Sequence, residues 1–111
     1  MKKTVLLDLD GVLNTYRGDY VHDYIPPLRE GAKEFVQNLA ERYNVKLFTT
    51  RRKKLVECWI NDNNLEKFIT DVTDKKEIAW IYVDDRCIRF DGEYERLISD
   101  IDNFKAWYRA V

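Results

Sequence analysis

Short apolar segments typical of β-strands alternate along this chain with longer segments of helical period, and this alternation restricts the fold more than any other feature. The pattern predicts strands at residues 3–7, 45–50, 68–72 and 79–85, and helices at residues 28–43, 52–64 and 94–108. Strands that alternate with helices favour a mostly parallel sheet with helices on both faces. We therefore predict an α/β fold with three α/β/α layers, Rossmann-like in its organisation.

The helix predicted at residues 28–43 has the clearest period. Its apolar residues recur every three or four positions, at Leu28, Ala32, Phe35, Val36, Leu39, Ala40 and Tyr43. Pro27 suits the first turn of such a helix, and Asn44 suits the left-handed residue that follows its last turn. The preceding residues 14–27 have no clear period and are predicted to form an irregular loop or a hairpin flap.

Length and charge exclude several classes of protein. A chain of 111 residues suits one domain, which we expect to span residues 1–111. With 19 basic and 20 acidic residues the net charge is −1, which argues against a dedicated nucleic-acid binder. The apolar runs are too short for a membrane span or a signal peptide, so a cytoplasmic protein is expected. Cys58 and Cys87 lack metal-ligand spacing and are expected to be buried free thiols.

Polar residues follow three of the predicted strands at the point where each strand ends. Asp8 and Asp10 close the first strand, and Thr49 ends the second. Asp84 and Asp85 follow a long apolar run at the last strand. The carboxyl ends of parallel strands lie along one edge of a sheet, and ligands bind there at the switch point in strand order. Three distant parts of the chain are therefore expected to converge on one site.

These four carboxylates would repel one another if they stood alone at this edge. A hard divalent cation removes the repulsion, and ligand sets made only of oxygen favour Mg²⁺, which in turn binds phosphate oxygens. The hydroxyl of Thr49 and the ammonium groups of Lys75 and Lys76 would complete a cradle for phosphate. Because a carboxylate can act as the nucleophile in phosphoryl transfer, these residues indicate magnesium-dependent phosphoryl chemistry.

The order of these motifs resembles that of the haloacid dehalogenase (HAD) superfamily of phosphohydrolases. The matching segments are DLDGVLN at residues 8–14, LFTTR at residues 47–51, a lysine at 75 or 76, and IYVDDR at residues 81–86. Together they lie within residues 4–86. The resemblance implies a HAD core without a cap domain, since residues 14–27 leave room only for a flap. It also implies a phosphatase that hydrolyses a phosphate monoester through an aspartyl-phosphate.

The resemblance assigns roles to the acidic residues and to the glycine of the first motif. Asp8 would be the nucleophile and a metal ligand, and Asp10 the general acid and base, with its backbone carbonyl on the metal. Asp84 would bind Mg²⁺ directly, while Asp85 would bind it through water or position Asp84. Gly11 would allow the tight turn where backbone amides meet phosphate.

The remaining roles concern the phosphoryl group. Thr49 would bind it, with Thr50 as the alternative, and Lys76 would bridge Asp8 and the phosphate, with Lys75 as the alternative. Arg51 follows directly and is a candidate to hold a substrate phosphate in two places.

The open site of a capless protein suits large phosphorylated substrates, or a small phosphate ester if a partner subunit of a homo-oligomer supplies the lid. A response-regulator receiver uses similar residues in another order, with its acidic pair first, whereas the pair at residues 84–85 comes last here. A non-catalytic module that binds phosphate or a phosphorylated partner is the alternative function.

Overall fold

The computed structural model describes residues 1–109 and has the α/β class predicted from the sequence. Its elements in chain order are β1 (Thr4–Asp8), α1 (Ala32–Arg42), β2 (Asn44–Phe48), α2 (Lys53–Asp62), β3 (Ile69–Thr73), β4 (Ile81–Val83), α3 (Tyr94–Asp102) and a 3₁₀ turn (Trp107–Arg109). The four strands form one sheet in the order β3-β2-β1-β4, and every neighbouring pair is parallel. The predicted parallel α/β sheet is thus confirmed.

The hydrophobic core lies on one face of this sheet. Successive side chains of a strand point to opposite faces, so Val5 and Leu7 of β1 share a face with Val45 and Leu47 of β2. All four are buried, together with residues of both following helices, which are Ala32, Val36, Val56, Trp59 and Ile60. Helices α1 and α2 therefore cover the same face.

The opposite face differs from the expectation of a helical layer. The connection from β3 to β4 is residues 74–80, which is too short for a covering helix and contains none. Helix α3 follows β4 and has no buried residue. Leu6 lies on this second face and is buried, whereas Tyr82, which pairs with Leu6 in the sheet register, is 40% exposed.

The start of the first helix was predicted four residues too early. Helix α1 begins at Ala32, and Leu28 instead forms an antiparallel bridge with Asn14 that closes the loop between them. Gly31 precedes the helix with φ +85°, a left-handed conformation that residues with a Cβ rarely adopt. The periodic pattern extended into this segment because Leu28 packs against the same core.

The end of that helix also differs from the prediction. Asn44 is not a left-handed residue after the helix, because it is the first residue of β2 and pairs with Thr4. Tyr43 alone joins the helix to the strand in an extended conformation, with φ −130° and ψ 157°. Among residues 1–109, a positive φ at a residue other than glycine is found at Asn64, which lies after α2.

Three further predictions are corrected. Strand β4 spans three residues rather than the seven of 79–85, and the helix predicted over 94–108 ends at Asp102 before the separate 3₁₀ turn. Cys58 and Cys87 are exposed free thiols, so the expectation that they are buried is wrong. No helix among the described residues is long and apolar enough to cross a membrane.

Candidate functional site

The order of the strands puts the acidic segments side by side. From β1 the chain continues to β2 and β3 on one side, whereas β4 pairs on the other side of β1. The switch point in strand order therefore lies between β1 and β4, where open α/β sheets bind ligands. Leu7 pairs with Val83 across these strands, so Asp8 and Asp84 are the next residues at their carboxyl ends.

Three carboxylates converge at this switch point. Oxygens of Asp8, Asp84 and Asp85 all lie within 4.8 Å of one another. Burial first, and then the neighbouring carboxyl groups of Asp85 and Asp84, raise the pKa of Asp8 from 3.8 to about 9. Burial also raises the pKa of Asp84. Protein groups alone therefore do not stabilise three negative charges here.

The surroundings of Asp85 fit a bound cation. Its Oδ2 atom is buried and meets no hydrogen-bond donor within residues 1–109. A Cβ on Gly11 would lie 2.2 Å from the same oxygen, and Gly11 has φ +83°. Only glycine allows the loop after β1 to pass this close to the carboxylate. An unpartnered buried oxygen within a set of oxygen ligands suits a hard divalent cation such as Mg²⁺.

Asp10, the fourth predicted acid, does not belong to this group of three. Its Oδ2 accepts a hydrogen bond from Nε of Arg51 at 2.8 Å, and its Oδ1 accepts one from Nδ2 of Asn14 at 2.9 Å. Each carboxylate oxygen of Asp10 therefore has its own donor. The carboxylate of Asp10 is fixed beside the acidic cluster rather than within it.

Arg51 lies in a different environment from the one expected of a substrate ligand. Its side chain is 1% exposed, and its Nη1 donates to the carbonyls of Val21 and His22 at 2.9 and 3.3 Å. The guanidinium also lies over the ring of Tyr20, 4.5 Å from the centroid. Arg51 thus joins the predicted flap to Asp10. Its guanidinium, which the sequence predicted to hold a substrate phosphate, is buried instead.

Asn14 is a site residue that the sequence reasoning missed. It is fully buried, and its Oδ1 accepts hydrogen bonds from the backbone N–H groups of Gly11 and Tyr16 at 3.2 and 3.0 Å. Its amide nitrogen donates to Asp10. The amide of Gly11, expected to meet phosphate, is therefore engaged within the loop. A polar residue directly after the apolar Val12 and Leu13 was the available signal.

The threonine and lysine candidates lie around the edges of this site. Thr49 is buried and its Oγ1 accepts a hydrogen bond from the backbone N–H of Arg51 at 3.2 Å, whereas Thr50 is exposed. The ammonium of Lys76 lies over the ring of Tyr82, 5.0 Å from its centroid. Lys75 lines a cavity of about 410 Å³ together with both threonines. Within residues 1–109, neither lysine forms an ion pair with Asp8.

The 3₁₀ turn at the end of the described chain reaches the same site. Nε1 of Trp107 donates to the carbonyl of Gly11 at 2.8 Å, and Tyr108 packs edge-on against Tyr16. Burial and the neighbouring Asp85 raise the pKa of Tyr108. The sequence pattern assigned this segment to a helix and contained no signal for the contact with Gly11.

The fold and site define a Rossmann-like α/β protein with an acidic cluster at its switch point, and comparison with known proteins supports the fold. No family model matches the chain, and no curated protein matches it significantly. Among solved structures it is similar to a conserved protein coded by a locus of Bacteroides thetaiotaomicron. The TM-score is 0.61 at 18% sequence identity, and the match covers 92% of this chain and 91% of that chain. At this identity the likeness shows the fold alone.

Proposed function

We propose that this chain is a magnesium-dependent phosphatase that hydrolyses a phosphate monoester through an aspartyl-phosphate on Asp8. The observation that carries the proposal is the convergence of Asp8, Asp84 and Asp85 within 4.8 Å at the switch point. These three residues would hold Mg²⁺, with Oδ2 of Asp85 as the oxygen that has no other partner. A bound Mg²⁺ would neutralise the carboxylates and the phosphoryl oxygens that approach them.

In the first step, a carboxylate oxygen of Asp8 attacks phosphorus, and the bond from phosphorus to the ester oxygen breaks. Asp10 gives its proton to that leaving oxygen, so an alcohol and an acyl phosphate are formed. In the second step, Asp10 takes a proton from water, whose oxygen attacks phosphorus. The acyl phosphate bond breaks, and inorganic phosphate and free Asp8 are released.

The contacts of Asp10 hold it as a carboxylate that accepts two hydrogen bonds, which is the form that takes a proton from water in the second step. Arg51 and Asn14 each bind one of its oxygens, so the carboxyl group has a fixed orientation next to Asp8. Fixed placement of the reacting groups is the main contribution that a protein makes to phosphoryl transfer. Thr49 directly follows the adjacent strand β2 and is the candidate for binding the phosphoryl group.

Phosphate release from p-nitrophenyl phosphate, with and without Mg²⁺, tests the proposal. We expect activity that requires Mg²⁺ and disappears in Asp8→Asn, which retains the shape of the side chain and removes the nucleophile. Asp62→Asn, at an exposed position in α2, is the matched control and should keep full activity. Mg²⁺-dependent turnover that survives Asp8→Asn would contradict the assigned nucleophile.

The position of Lys76 favours a second candidate function, a module that binds phosphate or a phosphorylated partner without hydrolysing it. Its ammonium is directed at Tyr82, and no lysine bridges to Asp8 within the described residues. Calorimetric titration with Mg²⁺ and inorganic phosphate distinguishes the two functions. Binding of both, combined with no turnover of any phosphate ester in a screen, would favour the module.

A further inference from the structure

The face of the sheet opposite the core carries a large apolar groove. It has a volume of about 720 Å³ and is lined by residues of β1, β2 and β4 and of the segments that flank β4, including Leu6, Phe48, Trp80, Tyr82 and Ile88. Trp80 is 54% exposed and Tyr82 40% exposed. Because no helix of residues 1–109 packs extensively on this face, its apolar lining is open to a partner.

Helix α3 has an apolar stripe that is equally uncovered. Tyr94, Ile98 and Ile101 recur at spacings of four and three residues, which places them on one side of the helix. They are 73%, 63% and 57% exposed, respectively. A helix of this length is marginal in water without tertiary packing of its apolar side, so the stripe also needs a partner.

The charges around the two surfaces are complementary. Lys3 and Lys76 lie over the aromatic rings of the groove, 4.7 Å from Trp80 and 5.0 Å from Tyr82, and Arg89 lines the groove. Helix α3 is acidic, with Glu95, Asp100 and Asp102. Its single cation, Arg96, is ion-paired with Asp91 on the preceding loop. The groove is also lined by the carboxylate of Asp84, but these three cations leave its rim net basic, which suits an acidic helix.

The groove and the stripe form one continuous patch. Cys87 and Ile88 line the groove, and they also line the smaller cavity beside Leu97 and Ile101 of α3. The two complementary surfaces thus lie on either side of the segment around Ile88. A two-fold axis near this segment would place each surface of one chain on the other surface of a second chain, which is the arrangement of an isologous dimer.

We propose that a second copy of this chain covers the groove, with α3 of each protomer docked on the open sheet face of the other. The stripe from Tyr94 to Ile101 is about 10 Å long. Strands β4, β1 and β2 together are about 10 Å wide, which matches the stripe. In this reciprocal arrangement the groove of each protomer is covered by the α3 stripe of the other, so neither surface stays exposed. The proposal rests on the apolar surfaces and their charges and does not require phosphatase activity, although Asp84 and Lys76 of the candidate site also line the groove.

Light scattering coupled to size-exclusion chromatography tests the proposal. The intact chain should have about twice its mass of 13.4 kDa. Ile98→Asp should convert the protein to a monomer, because it places a carboxylate at the centre of the apolar contact. Phe35→Asp changes a residue that is 44% exposed on α1 and should leave the dimer intact. A wild-type monomer at every concentration, or equal loss in both variants, would overturn the proposal.

A disulfide experiment distinguishes a second copy from α3 folding onto its own groove, and it does not depend on the stability of Ile98→Asp. One chain carries Cys58→Ser and keeps Cys87 in the groove, and the other carries Cys58→Ser, Cys87→Ser and Ile98→Cys. Oxidation of the mixture should yield a cross-linked heterodimer, whereas Phe35→Cys in place of Ile98→Cys should not. In a single chain with Cys58→Ser, Ile98→Cys and native Cys87, links formed only within monomers would refute the second copy.

Discussion

Nε of Arg51 donates a hydrogen bond to Oδ2 of Asp10 at 2.8 Å, and this pair joins the flap to the acidic site. The same guanidinium binds the backbone carbonyls of Val21 and His22. The position of the flap and the position of Asp10 are therefore set by one side chain. Arg51 acts in the proposed reaction through Asp10, as a positioning residue.

Arg51→Ala should lower the free energy of unfolding by about 3 kcal/mol, because it leaves the partly buried Asp10 without its cation. The proposed phosphatase activity should fall about 100-fold, in the range expected when a general acid–base group is lost. Arg51→Lys keeps the charge but lacks the planar fork, so it should recover only part of both losses. Urea denaturation and p-nitrophenyl phosphate assays measure the two effects.

Arg52→Ala provides the matched control for that substitution. The side chain of Arg52 is 66% exposed and reaches Asp23 only at 3.7 Å. Exposed ion pairs of this kind contribute little to stability, so a change below about 0.5 kcal/mol is expected. Equal effects of the two substitutions would contradict the role given to Arg51.

Asn14→Ala should lower the free energy of unfolding by about 2 kcal/mol, because the buried N–H of Gly11 and that of Tyr16 lose their acceptor. It should also lower activity, since Oδ1 of Asp10 loses its donor. Asn38→Ala removes an exposed amide whose oxygen accepts a hydrogen bond from Arg42. It should leave both the free energy of unfolding and the activity nearly unchanged. Wild-type activity in Asn14→Ala would show that this hydrogen bond does not position Asp10.

Gly11→Ala should weaken Mg²⁺ binding, because its Cβ would collide with Oδ2 of Asp85. Gly92→Ala is a matched control for backbone strain, since Gly92 has φ +100° and a Cβ there meets nothing within 4 Å. Gly92→Ala should cost about 1 kcal/mol of stability with unchanged Mg²⁺ affinity. Calorimetric titrations with Mg²⁺ measure the affinity of both variants. Equal affinities would count against Asp85 as a ligand.

The stability of the metal-free protein should depend on pH through Asp8. The pKa of Asp8 is about 9 in the folded state and near 3.8 when the chain is unfolded, so between these values the folded state binds more protons. The stabilising effect is fully present below about pH 4 and is lost as the pH rises through 9. Urea midpoints measured in EDTA should therefore fall across this window in wild type.

Two comparisons make that test specific to Asp8 and the cation. Asp8→Asn cannot titrate, so its stability should fall less with pH than that of wild type. Mg²⁺ should raise the urea midpoint of wild type more at pH 8 than at pH 5, because it binds the deprotonated carboxylates. Identical pH profiles for wild type and Asp8→Asn would contradict the raised pKa of Asp8.

The sequence predicted the parts of this fold that depend on local pattern. Short apolar runs located the strands, and the acids at the ends of two of them, Asp8 and Asp84, meet at the carboxyl edge of the sheet. This was predictable because the ends of the apolar runs mark the ends of the strands, and in a parallel sheet those ends share one edge. The roles assigned to these residues in catalysis stay predictions.

Other features depend on contacts between distant parts of the chain and have no local signature. The burial of Arg51 depends on where residues 20–22 of the flap lie, whereas its position directly after Thr49 and Thr50 predicted a substrate ligand. The exposure of α3 depends on which part of the fold the helix packs against, whereas its helical period indicated only that one side is apolar. Trp107 reaches Gly11 across 96 positions of sequence.

Because the edge strand β4 is short, local opening of the sheet can separate the carboxylates of the acidic cluster. Strands β1, β2 and β3 with α1 and α2 are consecutive in the chain, whereas β4 returns to β1 late and pairs through only three residues. Local opening of a protein begins at such weakly held elements. Amide hydrogens of Ile81–Val83 should exchange faster than those of β1, and each opening would separate Asp84 and Asp85 from Asp8. A cation held by all three carboxylates would join the last strand of the chain to the first, so its binding would slow that exchange.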